Sequence, residues 1–301
     1  MFYPAEAREC RSMAEAMLQA NQGIASSAAM RTGKTATKKK WLGGIVPHAG
    51  WICSGAIAGQ TIGTLARLRS ERQPRQSENV IVVVFGAVHS PLRLEYAALD
   101  AHERWHVPAG DSDVPQELNR KLTESSALLF AIDERFHQRE HAVEVELPLI
   151  QAAWPNASVL PVEVPAADQA IDIGRRTAEL VANAGFDAVY LASSDLTHYG
   201  PNYDFTPAGT GEQAMRWAKE NDQRLLDVIT DFAVERVVPD VRENLNACGA
   251  GAIAAMMSAC RQMGASEARV LRHASSYETL AEAGYPQEPV NAVGYASVIV
   301  G

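Results

Sequence analysis

Val80-Ile-Val-Val-Val-Phe85, followed at once by Gly86-Ala-Val-His89-Ser90, is the stretch that decides the fold. An apolar run without alternation is the mark of a strand covered on both faces, and such strands belong to parallel sheets flanked by helices. The design recurs twice. Leu42-Gly-Gly-Ile-Val46 breaks into Pro47-His48-Ala49-Gly50, and Ala188-Val-Tyr-Leu-Ala192 breaks into Ser193-Ser194-Asp195-Leu-Thr-His198-Tyr199-Gly200. In open α/β sheets ligands bind beyond the carboxyl ends of the strands. Two histidines and an Asp-x-x-His pair delivered there by three strands point to a metal-dependent site.

Outward from these strands, apolar spacing predicts helices over residues 5–21, 54–68, 114–125, 143–154, 167–183, 212–230 and 249–263. Pro148 has to lie in the first turn of its helix or kink it. Further strands are expected at 94–99, 158–164, 269–273 and 292–300, and residues 22–40 and 69–78 read as surface loops. Gly33-Lys34-Thr35 resembles a phosphate loop, but Ala28 stands where that motif needs glycine and no strand precedes it. Strand and helix alternate with no proline- or glycine-rich linker. The expectation is one α/β domain over 1–301, with a central, mostly parallel mixed sheet flanked by helices.

With 301 residues, 47% of them hydrophobic and 21% charged, the chain can bury a sizeable core. A formal charge of −9 argues against a nucleic-acid surface, which needs clustered Lys and Arg. Cys10, Cys53, Cys248 and Cys260 form no CxxC pair, so they read as reduced thiols rather than disulfide staples. No basic segment with a following apolar run opens the chain, and no apolar stretch reaches the roughly 18–20 residues that cross a bilayer. A cytoplasmic protein with no membrane segment is expected.

His48 and His89 are the leading ligand candidates, because neutral imidazole is the commonest ligand for borderline metals. A single histidine in such a position more often caps a strand or bonds a loop carbonyl; two at equivalent strand ends shift the balance. Cys248 opens a helix, where unpaired N–H groups favour a thiolate, although a cysteine beside glycines also reads as a small buried filler. Asp195 and His198 suggest a carboxylate orienting a general acid/base, or an aspartate capping a turn. Tyr199 adds a phenol to the expected pocket and Trp51 a further lining residue. His141 and Glu144, three apart, share a helical face and are expected around the site rather than at its centre. A hydrolase built on Ser194, Asp195 and His198 is disfavoured, since the chain has no G-x-S-x-G elbow.

Pro47-His-Ala-Gly-Trp-Ile-Cys-Ser-Gly55, Gly86-Ala-Val-His-Ser90, Glu140-His-Ala-Val-Glu-Val-Glu-Leu-Pro148, Ser193-Ser-Asp-Leu-Thr-His-Tyr-Gly200 and Asn246-Ala-Cys-Gly-Ala-Gly251 together resemble the Memo family, whose bacterial and archaeal members are called component B of the AmmeMemoRadiSam system. The resemblance implies an α/β fold similar to the class III extradiol dioxygenases, which are non-haem iron enzymes. It carries over His48, His89 and Cys248 as metal-site residues, with Asp195 and His198 in the same pocket. The dioxygenases use a carboxylate as third ligand where this chain offers cysteine. A softer, oxidisable thiolate admits copper or zinc as well as Fe(II) and weakens the case for catechol ring cleavage.

The leading expectation is a non-haem iron redox enzyme, dioxygenase-like, acting on a small molecule or modified peptide. The rival is a non-catalytic scaffold that binds a peptide or AMMECR-type and radical-SAM partner proteins through a vestigial metal pocket. The absence of Arg and Lys from the quoted motifs disfavours phosphopeptide recognition.

Overall fold

In the computed structural model, which describes residues 2–20, 40–72 and 79–301, α1 (Ala7–Gln19) leads to β1 (Gly43–Val46), α2 (Trp51–Arg72) and β2 (Val80–Gly86). β3 (Ala97–Leu99), the hairpin β4 (Arg104–Val107) and β5 (Gly110–Asp113), α3 (Gln116–Ser125) and β6 (Phe130–Ile132) follow. Then come α4 (Leu147–Ala153), β7 (Ser158–Glu163), α5 (Ala170–Asn183), β8 (Asp187–Ser193) and β9 (His198–Tyr199). The chain closes with α6 (Glu212–Thr230), α7 (Val237–Asn244), α8 (Ala250–Gln262), β10 (Ala268–Ser275), α9 (Ser276–Glu282) and β11 (Ala292–Val300). Gly33-Lys34-Thr35, the 22–39 part of the expected first loop and residues 73–78 of the second lie outside the described residues.

The main sheet runs β10-β11-β1-β8-β2-β7-β3-β6, with β9 against β11. β1, β8, β2 and β7 are mutually parallel at its centre. The flanks are antiparallel, β11 against β1 on one side and β3 against β7 on the other. The mixed sheet flanked by helices is therefore as expected, with its parallel pairing concentrated where the site lies.

β2 shows why its sequence does not alternate. Ile81, Val83 and Phe85 enter a core with α5, α7 and α8, whereas Val82 and Val84 enter a second core with α1, α2 and α4. Both faces are covered, so both side-chain sets must be apolar. Each of these fully buried side chains contributes roughly 1.5–3 kcal/mol of transfer free energy. α5 and α8 approach so closely that a Cβ on Gly174 would run into the Ala255 carbonyl.

Pro148 falls in the first turn of α4, where a missing N–H costs nothing. The expected helix over 143–154 is split, its first part being a single 3-10 turn, Glu144–Glu146. Sequence periodicity misses β6, only three residues long, and α7, which contains Pro239. It also misses α9, although Ser275 and Glu278 form a capping box that the spacing S-x-x-E announces. Among the described residues no helix is long and apolar enough to cross a membrane.

Glu163, at the end of β7, has no solvent exposure and, among the described residues, no hydrogen-bond partner for either carboxylate oxygen. Burial, reinforced by Glu140 and Asp100, holds its pKa well above the usual carboxylate range. The His137 Nδ1, itself unpartnered, is 3.7 Å away. An acid whose folded pKa is raised lowers stability as pH climbs through the unfolded value near 4.3 and on toward the folded one. Glu163→Gln is therefore expected to raise Tm at pH 8 by a few degrees, at about 2–4 °C per kcal/mol. The gain should shrink toward pH 4 in a pH series of thermal melts. A change in Tm that is constant across pH would contradict this assignment.

Candidate metal centre

The four central strands end level. Val46 pairs with Ser193, Ser193 with Gly86, and Gly86 with Glu163. Two or three residues beyond this common edge the chain places His48, His89 and Asp195 in one crevice. His141 joins them from the segment before the Glu144–Glu146 turn.

The rings of His48, His89 and His141 have centroids 5.1 Å (His48–His89), 5.2 Å (His48–His141) and 4.7 Å (His89–His141) apart. One nitrogen from each lies within 4.8 Å of the others. Their hydrogen bonds identify which nitrogen is free. Ser193 donates its hydroxyl to the Ala142 carbonyl at 2.5 Å, so its oxygen accepts from the His48 Nδ1 at 2.9 Å. Glu140 Oε1, an acceptor only, takes the His89 Nδ1 proton at 2.8 Å and lies 3.3 Å from the His141 Nδ1. With Nδ1 anchored, the His48 and His89 rings present the Nε2 lone pair, the orientation seen when a second layer of hydrogen bonds sets the tautomer of ligating histidines.

Electrostatics favour the ligating form of His48 and His141. Burial, then repulsion from His89, His141 and His198, holds the His48 pKa well below its ordinary value. His141 is lowered by burial and by His89. Burial acts to raise Glu140, but hydrogen bonds from the His89 ring and backbone outweigh it and keep this carboxyl low. Glu140 also accepts from the backbone N–H of His141 and Ala142. It thus fixes the His89 ring and the backbone that carries His141.

Cys248 sits two residues before α8, with its Sγ 3.3 Å from the His48 Nε2. Around a tetrahedral ion, bonds of about 2.0–2.1 Å to imidazole and 2.3 Å to sulfur place neighbouring N and S atoms roughly 3.5 Å apart. The three imidazoles within 4.8 Å of one another, with the thiol spaced for a shared ion against His48 alone, suit a first-row transition metal. The helix-start field expected to favour thiolate is overridden. Burial and the Asp195 charge push the thiol well up, so metal binding would release its proton.

Asp195 and His198 are not joined as expected. Asp195 accepts from the His48 backbone N–H at 2.9 Å and braces the turn that carries that ring. Burial, against hydrogen bonds from His48 and Ala49, raises its pKa to about 7. His198 is oriented instead by the Leu196 carbonyl, 3.1 Å from its Nδ1. Burial lowers its pKa, which leaves the Nε2 of a neutral ring as a base.

Two expected pocket residues do other work. Tyr199 is fully buried against Phe205 and Trp217, and its hydroxyl bonds the Gly209 carbonyl and the Ala208 N–H. In a strand neighbours face opposite ways, so His198 and Tyr199 diverge. Trp51 is buried and donates to the Val145 carbonyl at 3.3 Å. Glu144 accepts from Tyr3 at 2.6 Å. Trp51 and Glu144 thereby anchor the amino-terminal segment, whose Phe2 ring stacks on His141 at 4.7 Å. Ser194 donates to the Asp195 carbonyl and accepts from the Gly249 N–H, so it faces no imidazole as a nucleophile would.

Sequence reasoning undervalued Glu140 and Ser193, and Glu140 stands directly before His141 in a quoted motif. Glu140→Gln replaces the acceptor-only carboxylate that holds the His89 ring and lies beside His141, and is expected to weaken metal affinity about 10–100-fold. Competition against a chromophoric chelator measures it; unchanged affinity would show that Glu140 does not orient ligands.

Comparison with known proteins covers nearly the whole chain. The family described as Memo-like protein matches residues 1–299. A MEMO1 family protein of Pyrococcus horikoshii is 28% identical over 99% of this chain and 98% of its own. One from Methanosarcina mazei is 32% identical over 86% and 85% of the two chains. An uncharacterized Escherichia coli K12 protein of known structure overlaps 79% of this chain and 92% of its own, at 14% identity and a TM-score of 0.46. The chain belongs to the Memo-like family.

Proposed function

We propose that this Memo-like protein binds a divalent transition-metal ion, foremost Fe(II) with copper or zinc as alternatives, and uses it in redox chemistry on a small molecule or modified peptide. His48, His89 and His141 hold the ion through Nε2, with Cys248 beside His48 as a further donor. Bound iron supplies an electron-transfer centre with positions open to dioxygen or substrate.

The protein's own contribution is preorganisation. Glu140 and Ser193 hold the rings before the ion arrives, so little ordering remains to oppose binding. Asp195 keeps the His48 turn in place. His198, whose Nδ1 is held by the Leu196 carbonyl, accepts a proton from a bound substrate at Nε2. The observation that carries this reading is the convergence of three imidazoles within 4.8 Å, two from the level ends of the parallel strands and His141 from the segment before the Glu144–Glu146 turn.

Anaerobic reconstitution with Fe(II), elemental analysis and oxygen-uptake screening test it. One ion per chain is expected, with uptake lost in His198→Ala although the metal is kept. Absence of metal from the wild-type chain would overturn the metal centre. A fully loaded chain that consumes no oxygen with any compound, yet captures AMMECR-type or radical-SAM partner proteins, would favour a scaffold.

A further inference from the structure

Beyond β9 the chain makes a tight excursion that no expected role accounts for. Gly200 adopts φ of 119°, a region that side chains disfavour, and a Cβ there would lie 2.6 Å from the Val290 carbonyl. Gly200 and Phe205 exchange backbone hydrogen bonds of 2.8 and 3.3 Å, closing the loop on itself. The Asn202 N–H bonds the Asn291 side chain at 3.0 Å, and Asp204 takes a left-handed conformation, φ 51°. Strain of this kind persists only where surrounding contacts hold it, and it concentrates at functional sites.

What this loop presents is Tyr203. Its ring stands edge-on to His198, centroids 5.0 Å apart and planes at 85°. It remains 41% exposed although it touches a largely buried histidine. Its hydroxyl makes no hydrogen bond among the described residues. Burial, Asp195 and Cys53 keep the phenol protonated above its ordinary range. A tyrosine whose proton is held and whose oxygen lacks a partner is a donor awaiting an acceptor. The fitting group is an oxygen acceptor, such as a carbonyl or hydroxyl.

We propose that Tyr203 is a specificity-determining residue that donates a hydrogen bond to a carbonyl or hydroxyl oxygen of the ligand, next to His198. This inference rests on the metal-centre reading and adds the ligand class and the residue that selects it.

Wild type, Tyr203→Phe and Tyr203→Leu would be loaded with cobalt(II), and metal stoichiometry checked. Each is then titrated with acetohydroxamic acid, which offers a carbonyl oxygen, and with azide, which offers none, while the visible cobalt bands are followed. Tyr203→Phe keeps the ring and is expected to bind acetohydroxamic acid roughly 3–10-fold more weakly, the effect of one hydrogen bond. Its azide affinity and metal content should match wild type. Tyr203→Leu should lose at least as much hydroxamate affinity. Equal hydroxamate affinity in a fully loaded Tyr203→Phe overturns this inference alone. Wild type that takes up no cobalt overturns the metal centre and this inference with it.

Discussion

A chain carrying His141→Ala is expected to lose its metal, falling from about one ion per protein to near none after dialysis. The sequence places His141 beside Glu144 on a helical face, around the site rather than in it. The structure instead brings its ring to 4.7 Å from His89 and 5.2 Å from His48. Removing one of three imidazoles leaves two donors and a thiol whose proton burial holds tightly. Each ligand bond is worth several kcal/mol, since structural metals bind with apparent free energies of about 10–16 kcal/mol. The loss should resemble that in His48→Ala and His89→Ala, and exceed the 10–100-fold weakening expected of Glu140→Gln. Thermal melts without metal separate ligand loss from misfolding: His141 is partly exposed, so the apo variant should melt close to the apo wild type. Full metal retention in His141→Ala would return this residue to a supporting role.

The second large effect concerns the frame. Gly174→Ala adds one methyl group at a helix crossing where the Ala255 backbone fills the space, leaving no flexible side chain to move aside. In an exposed helix the same change would stabilise, by about 0.5–1 kcal/mol. Here α5 and α8 must separate, and overpacking of this kind costs about 3 kcal/mol. Because Cys248 immediately precedes α8, the displacement also shifts the thiol relative to His48. Chemical denaturation should show a markedly lower midpoint for Gly174→Ala, with much of the protein insoluble on expression. A midpoint equal to or above wild type would mean that the two helices are not in backbone contact.

Which features were legible in the sequence follows from the range of the forces involved. Unbroken apolar runs such as Val80–Phe85 announce doubly covered strands because burial on both faces acts on every residue. The abrupt change to His48, His89 and Asp195 marks the strand ends, where the backbone leaves the sheet. The partnership of Asp195 with His198 looked local because three residues separate them. Long-range packing decides otherwise, giving Asp195 to the His48 backbone, 147 residues away. Tyr199 and Tyr203 show the same limit. The two-residue strand β9 sends Tyr199 to the core, and only the loop closed through Phe205 returns Tyr203 to His198. The field at the start of α8 can be read from sequence, whereas the burial of Cys248, and after it the Asp195 charge, which together push the thiol up, cannot.

X-ray absorption at the metal edge of the reconstituted chain tests the central claim most directly. A coordination shell with three imidazole nitrogens is predicted, with a sulfur neighbour that disappears in Cys248→Ser. A shell of oxygen donors alone, or an imidazole signal unchanged when His48, His89 and His141 are replaced together, would contradict it.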